Sequence, residues 1–225
     1  FPKSPADHRT TLIARALADV GSCEIALPLL KDVTSRRDSY RDAWIVRGYC
    51  ELTSERLSDA ISSLEHSYDI DPEKPETSYF LARTYALKGD PGNAVKYLQY
   101  AIANGVTPER DAHLLLANYA RELGDIGLAV AELSIVANDK ETPDIGPAKA
   151  YIELALTMKN ADLEHMFSIA QNSVTKWPDT AESHLLLARV LFAMKRTEEA
   201  KKSIETALQI QPGLSAAIEL QKEIK

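Results

Sequence analysis

Five histidines and two cysteines are the side chains of this chain best suited to hold a metal or to act as nucleophile or base. Their spacing points to neither. His8, His66, His113, His165 and His184 lie far apart in the sequence. A zinc-peptidase helix needs two histidines four residues apart with a glutamate after the first, and no HExxH occurs; Glu164–His165 stands alone. There is no CxxC pair, glycine-rich phosphate loop or nucleophile elbow. The chain is therefore expected to be non-enzymatic, with no metal and no cofactor. Cys23 and Cys50 are expected as small buried side chains; the alternative, a disulfide between them, requires an oxidising compartment. Arginine and tyrosine remain. Their chemistry is recognition, and both are enriched where protein partners bind most tightly.

The bulk properties narrow the partner. A net charge of −7, from 26 basic and 33 acidic residues, disfavours contact with a phosphate backbone, so nucleic acid is not expected. No apolar run is long enough to span a bilayer, so this segment is not expected to insert into a membrane. At 225 residues and 45% hydrophobic, the chain can bury a substantial core. It begins at Phe1 and not at Met, which suggests a piece of a longer protein with a leader, anchor or further domain upstream. It would then be cytoplasmic or tethered to a membrane by that missing segment.

The elements that position these side chains recur. Ala26, Ala60, Ala94, Ala129 and Ala200 form one column, at spacings of 34, 34, 35 and 71 residues. Four residues after each comes Leu30, Leu64, Leu98, Leu133 or Ile204. A second small column, Ala14, Gly48, Ala82, Ala117 and Ala188, lies about twelve residues upstream, with apolar neighbours at helical steps such as Leu17, Tyr85 and Leu191. Each unit is thus two amphipathic helices. Gly21, Gly89 and Gly124 are placed to end first helices, and Asp90 and Asp125 to cap the next. Pro72, Pro178 and Pro212 close second helices, with Pro108 and Pro143 doing so two residues later.

This unit resembles the tetratricopeptide repeat: Trp44, Gly48, Ala60, Leu64 and Pro72 sit at that family's signature spacings, and His184, Leu187, Ala188, Leu191, Ala200, Ile204, Ala207 and Pro212 match it again. The resemblance implies an all-α, right-handed superhelical solenoid of antiparallel helix pairs. Six repeats are expected over 7–214 (7–40, 41–74, 75–109, 110–146, 147–180 and 181–214), with 1–6 a leader and 215–225 a closing helix. Ser215 is placed to cap that helix, and Ala217, Leu220 and Ile224 to form its apolar stripe. The fifth unit departs from the pattern, because Met166 stands where the others have Ala, and a bend or looser packing is expected there.

In this family the first helices line a concave inner surface on which partner peptides lie. The matching positions here are Arg15, Tyr49, Tyr79, Arg83, Asn118 and Arg189, with Phe80, Arg121, Glu122 and Phe192 nearby. They suggest a groove for an extended or helical segment of a protein, with arginines meeting its acidic or backbone oxygens. The family's lysine and asparagine clamp for a C-terminal carboxylate is not matched, since Thr11, Val46 and Glu76 stand in its places. The expected function is a non-catalytic scaffold or adaptor. The alternatives are the scaffold region of a larger, membrane-anchored protein, an assembly lipoprotein of similar size and repeat number, and self-association through an uncapped first repeat around His8 and Leu12. Trp44 is expected to wedge between helices, and Ala94 to allow close helix approach.

Overall fold

The computed structural model describes residues 5–224; residues 1–4 of the expected leader and Lys225 of the closing segment lie outside them. All regular structure among the described residues is helical. The chain divides between Asp125 and Ile126 into two compact units, inside the segment 110–146 expected as one repeat.

The first unit contains α1 (Pro5–Asp19), α2 (Cys23–Arg36), α3 (Arg41–Thr53), α4 (Leu57–Ile70), α5 (Pro75–Leu87), α6 (Pro91–Ala103) and α7 (Glu109–Glu122). Consecutive helices pack on one another, α3 also touches α1 and α5, and connections of a few residues force antiparallel neighbours. The second unit contains α8 (Ile126–Asn138), α9 (Gly146–Ala155), α10 (Leu163–Lys176), α11 (Ala181–Ala193), α12 (Thr197–Ile210) and α13 (Ser215–Glu223). Within each unit this successive helix packing is that of an α-solenoid.

One turn geometry recurs and sets the pairing. After α5, the Asp90 N–H donates to the Tyr85 carbonyl and the Gly89 N–H to the Ala86 carbonyl, both at 2.9 Å, with Gly89 at φ 83°. This is the double hydrogen bond of a Schellman end, which requires a left-handed residue. The same pair of bonds follows α1, α3, α6, α7 and α11, but after α3 and α11 the left-handed residues are Glu55 and Lys195. Asp90 then caps α6 by accepting from the Asn93 N–H at 3.0 Å. Asp162 does likewise for α10, through the His165 N–H.

The small and large columns are buried. Ala26, Leu30, Ala60, Leu64, Ala94 and Leu98 are closed to solvent in the first unit, and Ala129, Ala200 and Ile204 in the second. Met166 is fully buried, filling the place of the alanine in its repeat. There α9 has ten residues and packs chiefly on α8, while seven residues separate it from α10. Trp44 of α3 lies tilted against His66 of α4 at 4.4 Å and donates its indole N–H to the Asp38 carbonyl at 2.7 Å. His184 makes the same contact with the Pro178 carbonyl at 2.8 Å, which places a proton on Nε2.

Three local expectations are corrected. Cys23 and Cys50 form a disulfide, with Cα atoms 5.1 Å apart, where two unlinked side chains were expected; the packing of α2 on α3 brings them within bonding reach. Ser215 is the first residue of α13, whose cap position is Leu214, so Ser215 does not cap it. Pro108 stands at the entry of α7 and does not close α6. Ala217, Leu220 and Ile224 are buried against the second unit's core.

Candidate partner-binding face

The inner positions of α1, α3 and α5 meet in a pocket of about 380 Å³ in the first unit. From α1 come His8, Leu12, Arg15 and Asp19, at the three- and four-residue steps that keep one helical face together. From α3 come Arg41, Asp42, Ile45, Val46 and Tyr49, and from α5 Glu76 and Phe80. The floor is apolar: Ile45 and Val46 are buried, and the Tyr49 and Phe80 rings lie 5.2 Å apart. Thr11, Val46 and Glu76, the places of the family's carboxylate clamp, all line this pocket. Their side chains are a hydroxyl, an aliphatic group and an acid, so the pocket is not built to hold a carboxylate there.

Its charges are partly spent. The Arg41 guanidinium reaches Asp42 at 3.2 Å, Glu76 at 3.6 Å and the Thr77 hydroxyl at 3.3 Å. Tyr40 bonds His8 Nδ1 through its hydroxyl at 3.1 Å and carries the Arg37 guanidinium over its ring. Burial, and then the nearby Asp42 carboxylate, raise the Tyr40 pKa above its ordinary value, so this phenol stays protonated at neutral pH. Arg15 is exposed on the rim.

Of the residues singled out from sequence, Arg15, Tyr49 and Phe80 are brought together in this pocket. Tyr79, whose ring meets that of Phe80 edge-on at 5.8 Å, and Arg83 also lie on α5, with the guanidinium 5.9 Å from the Tyr79 ring. Both act on the half-buried Tyr119 of α7, whose pKa is raised chiefly by desolvation. Asn118 and Arg121 are exposed on α7. Arg189 belongs to the second unit, where it bonds Glu153 at 2.6 Å beside a Lys149–Glu182 pair at 2.8 Å. Phe192 packs against that unit's core. Tyr40, Arg41, Asp42 and Ile45 were not singled out. Their signal was the step of three and four residues leading back from Tyr49 through Val46, Ile45 and Asp42 along the inner face of α3. Among the described residues no cluster of metal-ligating side chains occurs, and no helix is long and apolar enough to cross a membrane.

Comparison with known proteins agrees with this architecture. Residues 11–75 and 79–143 match one tetratricopeptide-repeat family profile, and residues 181–213 match a second. No curated protein sequence matches the chain. Among solved structures, YrrB, described as a tetratricopeptide-repeat protein with an unusual peptide-binding site, superposes with a TM-score of 0.65 at 16% identity, covering 86% of this chain and 97% of its own. PilF of Pseudomonas aeruginosa follows at 0.60 and 14% identity, covering 97% of both chains. PilW, a widely conserved type IV pilus biogenesis factor, gives 0.56 at 19% identity, covering 99% of this chain and 100% of its own. At these identities the likeness is one of fold. The family profiles account for well over half of the sequence, and the chain belongs to the tetratricopeptide-repeat family.

Proposed function

We propose that this repeat scaffold, of a family used in general for protein interaction, receives a partner segment on the inner face of its first unit. An apolar side chain of the partner is seated in the α1/α3/α5 pocket. The observation that carries this is the pocket itself, where Tyr49 and Phe80 form an apolar floor beneath an exposed arginine. Aromatic side chains at the centre of such a surface supply most of its binding energy. The arginines take a smaller part than the resemblance implied, because Arg41 is already paired with carboxylates and Arg189 lies on the other unit. Tyr79, Arg83, Asn118 and Arg121 extend the same face along α5 and α7. YrrB is described as having a peptide-binding site on a similar fold, and that general use of the fold supports the reading.

A partner captured by the native chain should be titrated against a Tyr49→Ala/Phe80→Ala variant that retains its helical spectrum. Affinity is expected to fall by about 30-fold or more, the loss typical of a hot-spot aromatic. Unchanged affinity contradicts the proposal, and a Lys96→Ala variant on α6 serves as the insensitive control.

A second reading has one observation in its favour. Ile13 of α1, Val20 in the turn that follows it and Ile25 of α2 are 57%, 75% and 61% exposed. Ile13, Ala16 and Val20 follow one another at helical steps, so a second copy could cover this edge. His8 and Leu12, by contrast, face the pocket. Light scattering over a concentration series should then show a dimer that Val20→Glu abolishes; a monomer at all concentrations removes this reading.

A further inference from the structure

We propose that the Cys23–Cys50 disulfide makes the pocket of the first unit conditional on oxidation. When formed, it locks the first helix pair onto α3; when reduced, it lets α1 and α2 open and the pocket wall open with them.

Cys23 is the first residue of α2, and Cys50 follows the pocket residue Tyr49 on α3. The bond therefore ties one repeat covalently to the next, beside the inner face. α1 supplies His8, Leu12 and Arg15 to the pocket. It is tied to α2 by Asp7, which pairs with Arg36 at 3.0 Å and Arg37 at 3.6 Å. Between α2 and α3 the polar ties are weaker: Arg47 donates to the Thr34 hydroxyl at 3.2 Å, and Thr53 to Cys23 Sγ at 3.3 Å. Among the described residues α1 and α2 pack chiefly on each other and on α3, and units of a repeat stack open locally at less than the global cost. A cross-link spanning 27 residues removes much of the entropy that opening would gain. On the loop-closure model it suppresses the opened state by a factor on the order of a few hundred.

The exchange is balanced by a dithiol. One thiolate of the reductant attacks a cysteine sulfur to give a mixed disulfide, and its second thiol displaces the protein thiol. The protein bond gains two electrons and two protons and becomes two thiols, while the dithiol becomes a disulfide. A disulfide-bearing oxidant runs the same steps in reverse. Both cysteines are buried, at 6% and 0% exposure, so the attacking thiolate reaches them only from the opened repeat. The lock stands without any partner; only its consequence for binding rests on the pocket being the binding face.

The full chain, purified without reductant, should first be denatured in iodoacetamide and weighed, with no alkylated cysteine expected. Hydrogen exchange is then followed with and without dithiothreitol, and in a Cys23→Ala/Cys50→Ala variant that carries no thiol to reduce. Reduction should speed exchange in α1 and α2 on the order of a hundredfold, leave α5 and α6 unchanged, and be matched by the variant. Two alkylated cysteines in the unreduced chain would overturn the proposal. So would unchanged exchange in α1 and α2, or an equal loss of protection from α1 to α7. If partner binding proves insensitive to Tyr49 and Phe80 while this exchange pattern holds, the lock survives and only its control of binding falls.

Discussion

At Gly48 a methyl group would come within 2.5 Å of Leu64 Cγ and 2.7 Å of its Cδ2, so α3 and α4 approach too closely for any side chain there. Gly48→Ala should cost about 1–3 kcal/mol by overpacking a buried contact, read as a shift in urea midpoint. Gly89 differs, since nothing lies within 4 Å of an added Cβ and only its φ of 83° resists substitution. Gly89→Ala should therefore cost about 1 kcal/mol, the penalty of a left-handed backbone. Glu55 and Lys195 already bear that conformation, at φ 58° and 61°. Glu55→Gly should be neutral or stabilising by up to about 1 kcal/mol, the strain relieved being offset by a freer unfolded chain. A clear loss of stability in that variant would show that the glutamate side chain has a role the turn geometry does not explain. Glycine marks four of these turns in the sequence. The other two were invisible there, because a charged residue forced into the left-handed region carries no signature of its own.

Between elements, the disulfide and the tyrosines make the ties that helical periodicity does not announce. Closing 27 residues, the disulfide should contribute about 3–4 kcal/mol to global unfolding on the loop-entropy model. Reduction should lower the urea midpoint of the first unit accordingly, and an unchanged midpoint would mean that the reduced chain keeps the same constraint by packing. The Tyr85 hydroxyl of α5 donates to Glu65 of α4 at 2.6 Å, and its ring stacks on Tyr97 of α6 at 5.6 Å. The helices and their buried columns were legible because their pattern repeats within a few residues: Ala60 and Leu64, or Ala94 and Leu98, mark a face by themselves. Cys23 with Cys50, and Glu153 with Arg189, are one repeat or nearly so apart, and their meeting depends on how one helix pair settles on the next. For the same reason Arg15, Tyr49 and Phe80 could be named singly, whereas the pocket they share with Tyr40 and Arg41 emerges only from packing.

Across the molecule the buried and half-buried phenols give a shared pH signature. Desolvation is the first cause raising the pKa of Tyr40, Tyr68, Tyr97, Tyr119 and Tyr151, and it raises Tyr85 most, helped by Glu65. A folded pKa above the unfolded value of 10.0 means that the stabilisation is fully present below pH 10 and is lost as pH rises through the folded values. Melting temperature should accordingly stay flat from about pH 7 to 9 and fall beyond about pH 10, less steeply in Tyr85→Phe. A fall already complete at pH 9 would point to other groups. The inner face of the first unit is the proposed seat of the partner. The most direct test of this places the photo-cross-linker p-benzoylphenylalanine at Phe80 in the pocket or at Lys96 on α6, irradiates the chain with its captured partner, and weighs the products. An adduct from position 80 and none from position 96 is predicted; an adduct from 96 with none from 80 would contradict the account.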